Sequence, residues 1–320
     1  MNDILQPLTG RLARALQFTL IAELFVAVGI FALATASHRF SLAQSLALSV
    51  LPYLALRVLA VGNNFWQTYR HRSPPRLEHQ IGFWKTLRLL WGEYYVTLIV
   101  YSVLFPFERW LVPMAPLPMV KGSGVPVILV PGFACNRGYF FFFARWLGRR
   151  GFGPIYAVSL EPLFGSIKHN AALLARFVEA VCAATGQPKV MLVGHSMGGL
   201  TIRAYVHHLD GAQRVARAVT LGTPHHGTVT AEGVRRLGEN LREMSRGYTW
   251  SESLNALQAQ PSPVPITAII SPHDGIVAPQ SSSELRYPNA KNIFLPGVGH
   301  LEMIMSRRTL EATAAAWSEN

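Results

Sequence analysis

The stretch KVMLVGHSMGG, Lys189 to Gly199, carries an apolar β-favouring run into Gly194-His195-Ser196-Met197-Gly198 and then into Leu200-Thr201-Ile202-Arg203-Ala204. The pattern predicts a strand, a tight turn and a helix, with a serine on the turn. Glycine stands two positions to either side of Ser196. A side chain raised on such a strained turn needs small neighbours so that strand and helix backbones can approach. The helix N-terminus also turns free amides toward the serine, where developing negative charge can be held. Ser196 is therefore the candidate nucleophile, weighed against an ordinary turn serine.

A nucleophilic serine needs a base, and the base needs an orienting carboxylate. Asp274 follows the apolar run ending at Ile270, and His300 follows Gly297-Val298-Gly299 after a final short run. Both fall in loops after strands, the end of an open α/β sheet where sites form. Glu302 and Asp210 compete less well for the acid. His195 sits within the turn, His273 adjoins the acid, and His225 and His226 lie after another strand, so His300 is the preferred base. Phe133, in Val130-Pro131-Gly132-Phe133, and Met197, directly after the serine, are the expected oxyanion amides. Cys135 lies nearby without a basic neighbour in sequence and reads as a bystander thiol.

Around this centre, short apolar runs alternate with helical periods, predicting a parallel sheet with crossover helices. The expected strands are Val125 to Val130, Pro154 to Val158, Val190 to Val193, Ala216 to Leu221, Ile266 to Ile270 and Asn292 to Leu295. The expected helices are Tyr139 to Arg149, Ile167 to Thr185, Leu200 to His208 and Leu301 to Trp317. An insertion over 227–264 has the length for a helical lid over an acyl pocket, or for ordinary packing helices. Phe140 to Phe143 is read mainly as core, with one face available to an acyl chain.

Before this lies an apolar region, 1–118, with long segments Phe18 to Ala36, Leu42 to Val61 and Leu87 to Phe105. Each is long enough to cross a bilayer, and Glu23, Arg57 and Glu93 lie within them in turn, with Arg88 at the very start of the third. Two or three spans are expected, and a helical subdomain or amphipathic helices lying in the membrane interface are the alternative. Threaded as alternating spans, the three charges share a depth, so Arg57 is expected to pair with Glu23 or Glu93. Arg11 and Arg14 precede the first segment, and Arg70, Arg72, Arg76 and Lys85, with Arg88 at the start of the third, lie at the junction of the second and third. Three crossings with these basic stretches inside would place the domain outside a bacterial inner membrane, in the periplasm. Ala34-Thr35-Ala36 also resembles a signal-peptide cleavage site, a reading that Glu23 and the later segments weaken. Pro113, Pro116 and Pro118 end the region, and 119–124 reads as a polar linker to a domain over 125–320.

With these residues placed, the chain from Val125 to Trp317 resembles the serine α/β-hydrolases, more narrowly the bacterial triacylglycerol lipase-like group. VILVPGF, LEPLFGSI, LVGHSMGGL, VTLGTPHHGT, SPHDGIVAPQ and GVGH carry the resemblance. Pro131 stands where many relatives have histidine, which leaves the Phe133 amide unaffected. The resemblance implies ester hydrolysis through an acyl-enzyme: Ser196 attacks, His300 shuttles the proton, Asp274 orients His300, and the Phe133 and Met197 amides hold the oxyanion. His225 and His226 match a loop where a structural or pocket-lining role is implied. The expected substrate is an acyl ester, lipid above a small polar ester, with membrane lipid as the surrounding partner. Acyl transfer to an alcohol or lysolipid uses the same three residues, and a non-catalytic membrane scaffold is a third reading.

Half of the 320 residues are hydrophobic and only 14% are charged, which excludes a disordered chain. The net charge of +12 suits membrane-orienting loops or anionic lipid better than nucleic acid, because the basic residues are dispersed and no nucleic-acid module appears. Two cysteines exclude a disulfide-stapled framework. No zinc spacing, Walker loop or GxGxxG turn is present, so neither metal nor cofactor is expected.

Overall fold

The computed structural model describes residues 10–74, 76–113 and 117–318. Pro116 and the extreme ends of the two expected regions lie outside them. Helices α1 (Arg11–Ala36) and α2 (Leu42–Arg70) form a hairpin. Ser41 starts α2 with a capping box, its hydroxyl accepting the Gln44 amide while the Gln44 side chain accepts the Ser41 amide. Both helices are long and apolar enough to cross a membrane, and Phe18, Phe25, Leu33, Leu42, Leu51 and Leu59 stand exposed along them. The open end of the hairpin rests on the rest of the chain: Gln17 Nε2 donates to Pro106 O at 2.6 Å, and the Ser73 amide donates to Gln280 Oε1 at 3.1 Å. Arg57 Nη2 donates to Glu23 Oε1 at 3.0 Å, so the expected pairing of Arg57 is made within the hairpin, with Glu23.

The third apolar segment is used differently. Helix α3 (Phe83–Ile99) runs on through one wider π turn (Val100–Leu104). Val96, Val100, Leu104 and Phe105 are buried in one cluster with Val127, Leu129 and Val193 of the sheet. Among the described residues two helices, not three, keep the length and apolar surface of a span. A sheet face offers an apolar helix the same relief from water as lipid does, and here it has taken that role.

After the short α4 (Glu108–Leu111), residues expected as a linker dock on the sheet edge instead: Met119 N donates to Ile155 O at 2.7 Å and Val120 bridges antiparallel to Ile155. Six parallel strands follow, β1 (Val127–Val130), β2 (Ile155–Ala157), β3 (Val190–His195), β4 (Val215–Leu221), β5 (Ile266–Ile270) and β6 (Lys291–Phe294), in the order β2-β1-β3-β4-β5-β6. The ends of each lie within two residues of their expected positions. Alternation along β1 sends Ile128 and Val130 to one apolar cluster and Val127 and Leu129 to the other, so the sheet is buried on both faces.

The crossovers are α5 (Phe141–Arg149), α6 (Ile167–Thr185) and α7 (Met197–His208). Phe140 and Phe143 are buried in the core, while Phe142 is exposed. The insertion over 227–264 holds three short helices, α8 (Val229–Val234), α9 (Glu239–Glu243) and α10 (Thr249–Ala256). Leu241, Met244 and Leu254 bury into the core, and Glu243 Oε2 accepts the Ile167 amide at 2.5 Å. The expected final helix is divided: a 3-10 turn Leu301–Ile304 precedes α11 (Arg307–Ser318).

Candidate active site

Ser196 joins β3 to α7 with φ 54° and ψ −125°, a positive φ that a non-glycine residue adopts only under constraint. Its amide donates to Leu221 O at 2.8 Å, fixing the turn to the end of β4. A Cβ on Gly194 would stand 2.6 Å from Gly199 N, and one on Gly198 would overlap Val130 O. The flanking glycines are thus required by backbone approach, as the sequence pattern implied.

The loops carrying His300 and Asp274, the candidate base and acid, meet beside this turn. His300 Nδ1 lies 2.7 Å from Asp274 Oδ2, with both side chains buried. Asp274 Oδ1 accepts the amides of Ile276 and Val277, each at 2.7 Å, so the carboxylate is held before any substrate arrives. Burial alone would lower the pKa of His300, but the charge and hydrogen bond of Asp274 outweigh it and raise it above the ordinary 6.5. With Nδ1–H donated to Asp274, Nε2 is left as the proton acceptor. The imidazole packs 4.6 Å from the ring of His195, the residue before Ser196, and His195 Nε2 lies 3.0 Å from His300 O. Among the described residues no hydrogen bond joins Ser196 Oγ to His300; such bonds often close only around a substrate.

A Cβ on Gly132 would stand 2.8 Å from Ser196 Cβ, so the loop carrying Phe133 is pressed against the serine. Met197 is the first residue of α7, where amides have no acceptor within the helix. The Phe133 ring lies 5.8 Å from that of the exposed Phe164, an aromatic pair at the edge of the site.

The competing groups are otherwise engaged. His273 Nδ1 accepts the Gly297 amide at 3.2 Å. His225 is buried between Thr220 and Arg203, and burial with the Arg203 charge pushes its pKa well below the ordinary range. Burial and nearby arginines push His226 down to about 4. Burial drives the Cys135 thiol up to about 12, which makes it a poor nucleophile. Among the described residues no group of three His, Cys, Asp or Glu is placed to hold a metal.

Three residues at this centre were not legible as such. Tyr139 OH lies 3.2 Å from His195 Nε2 and donates to Leu301 O at 3.2 Å. Arg203 is fully buried and donates to Tyr287 Oη, Asn255 Oδ1 and Leu254 O, tying the helix behind the serine to the insertion. Glu93 of α3 accepts the amides that follow His300. A charged residue in the helix after the turn was the only hint of Arg203, and nothing local pointed Glu93 to the base loop.

Residues 125–249 match the family described as the alpha/beta hydrolase fold. A triacylglycerol lipase of Pseudarthrobacter phenanthrenivorans is 37% identical over 117 residues, 34% of this chain and 36% of that one. A triacylglycerol lipase of Vibrio cholerae is 35% identical over 148 residues, 44% of this chain and 46% of that one. The chain thus spans between a third and a half of these curated relatives. The mature lipase BlEst2 of Bacillus licheniformis superposes with a TM-score of 0.52 at 16% identity, covering 62% of this chain and 94% of that structure. From residue 125 onward the chain has the α/β-hydrolase fold, and the curated relatives it resembles there are triacylglycerol lipases.

Proposed function

We propose that the protein is a membrane-attached serine esterase that cleaves lipid acyl esters through an acyl-enzyme. The observation that carries this reading is the buried Asp274–His300 pair, 2.7 Å apart, set beside a serine held at positive φ. In the first half-reaction Ser196 Oγ attacks the ester carbonyl as His300 Nε2 takes its proton, and the Phe133 and Met197 amides hold the oxyanion. Collapse expels the alcohol, protonated by His300. Water then attacks the acyl-enzyme with His300 as base, releasing the acid and restoring the serine. The relatives' names support acyl esters of lipids as the substrate class.

The exposed apolar surface of α1 and α2 supports membrane attachment. Two crossings return the chain to the side from which it started. Arg11, Arg14, Arg70 and Arg72 then cluster at the hairpin end that bears the hydrolase domain, against Arg39 and His38 at the turn. By the positive-inside rule the domain faces the cytoplasm, rather than the periplasm that three crossings imply. The insertion over 227–264 acts as a fixed wall, held through Glu243 to Ile167 and through Thr230 Oγ1 to Ile276 O at 2.6 Å.

The test is hydrolysis of a p-nitrophenyl ester series, acetyl to long acyl, by the detergent-solubilised full chain, with Ser196→Ala as control. Turnover lost in the variant and a long-chain optimum are expected. A folded wild-type protein that neither hydrolyses any ester nor is labelled by a fluorophosphonate would overturn the reading.

A further inference from the structure

One carboxylate is buried in α3, and it faces the base loop. Glu93 Oε1 accepts the Leu301 amide and Glu93 Oε2 the Glu302 amide, each at 2.9 Å. These are the residues directly after His300, at the start of the 3-10 turn. Gly299, directly before His300, makes room: a Cβ there would overlap Glu93 Oε2. The contact is returned from the other side. Glu302 Oε2 accepts the Gly299 amide at 3.2 Å, Glu302 pairs with Arg88 of α3, and a Cβ on Gly92 would stand 2.9 Å from Glu302 Cδ. Arg88 Nη1 also donates to Gly297 O at 2.8 Å. Residues 297, 299, 301 and 302 are therefore all gripped, directly or through Glu302, by one helix more than 200 residues earlier.

A leucine at position 93 would pack against the sheet without the cost of burying a carboxylate, but would leave two base-loop amides without acceptors. The groups facing Glu93 are His300 and Asp274, Glu302 with Arg88, Tyr101 and Tyr139, and Arg57, which shares with Glu93 the lining of a 340 Å³ cavity between the hairpin and the catalytic loops. Burial pushes the Glu93 carboxyl up to about 7, against the pull of the two amides and of His300.

We propose that Glu93 is a positioning residue for His300, clamping the backbone of the base loop and holding a second carboxylate beside the titrating imidazole. This rests on the esterase reading above. It makes α3 part of the catalytic unit rather than an anchor.

The experiment compares the wild-type full chain in detergent with Glu93→Gln and Glu93→Asp on a soluble short-chain ester, each rate divided by the serine titrated with a fluorophosphonate. For Glu93→Gln, kcat is expected to fall by about tenfold or more with KM unchanged. The acid-side midpoint of kcat/KM should move down by about half a pH unit or more, because a lost negative charge disfavours the imidazolium. Glu93→Asp keeps the charge but is too short to reach both amides, so kcat should fall while the midpoint stays near wild type. A Glu93→Gln protein with wild-type kcat, or with lower kcat and an unmoved midpoint, overturns the proposal. Absence of titratable serine in both variants assigns Glu93 to the fold alone and also overturns it. Failure of the wild type itself to react with the phosphonate sinks the esterase reading instead, before any variant is compared.

Discussion

Asp274 Oδ2 and His300 Nδ1 lie 2.7 Å apart in a pair from which solvent is excluded, while the second oxygen of Asp274 is occupied by two backbone amides. Both carboxylate oxygens are thus hydrogen-bonded within the protein. Asp274→Asn keeps the shape but favours the wrong histidine tautomer. It is expected to lower kcat by about 10³–10⁴-fold with little change in KM, measured on a soluble ester.

The same pair sets the pH dependence. In the proposed mechanism the base is neutral His300, whose pKa is raised above 6.5 by Asp274. Activity should therefore rise with pH through a midpoint above 6.5, and Asp274→Asn should move that midpoint down. The stability linkage has the opposite sense: the pairing of protonated His300 stabilises the fold fully below 6.5, and this contribution is lost as pH rises through the folded-state pKa. A kcat/KM profile with an acid limb below 6.5 would contradict this assignment of the base.

Gly198 has no room for a side chain beneath Val130 O. Gly198→Ala is expected to cost about 1–3 kcal/mol of stability through overpacking and to slow fluorophosphonate labelling of Ser196 by more than about tenfold. Thermal unfolding and labelling rate measure the two effects.

Arg203 satisfies acceptors on α10 and the Tyr287 hydroxyl from a fully buried position. Arg203→Leu removes the charge but strands those acceptors, and a loss of about 3 kcal/mol is expected in denaturant unfolding. Limited proteolysis should then open first within 249–256. A variant as stable as wild type would show that the insertion is not held through this arginine.

Within the hairpin, Glu23→Arg and Arg57→Glu should each destabilise α1–α2 packing by about 1–3 kcal/mol, less than for a fully buried pair because both side chains retain some exposure. The double swap should recover at least half of the lost melting temperature. No recovery would mean that the pair contributes nothing as a pair.

Orientation can be read with thiol reagents, because the native Cys135 and Cys182 are buried. His38→Cys at the hairpin turn should react with an impermeant maleimide on intact spheroplasts, and Lys168→Cys on the exposed start of α6 only after lysis. The reverse pattern would put the domain in the periplasm.

The strands and the strand–serine–helix turn were legible in the sequence because each is encoded locally. Apolar runs bounded by turn residues define strands, and glycines at fixed offsets from Ser196 are dictated by backbone overlap within a few residues. Asp274 and His300 were legible as candidates because each follows a strand on the same edge of the sheet, which only had to bring the two loops together. What the third apolar segment does was decided by tertiary structure. Lipid and the face of a sheet are alike to an apolar helix, so hydropathy cannot tell α3 from a span. Arg57 had two acidic partners of equal promise, and the choice of Glu23 follows from the hairpin. Glu93 was then free to meet the backbone amides of Leu301 and Glu302, and backbone amides are the same in every sequence. Which of them a buried carboxylate will satisfy is written in the packing of α3 on the sheet.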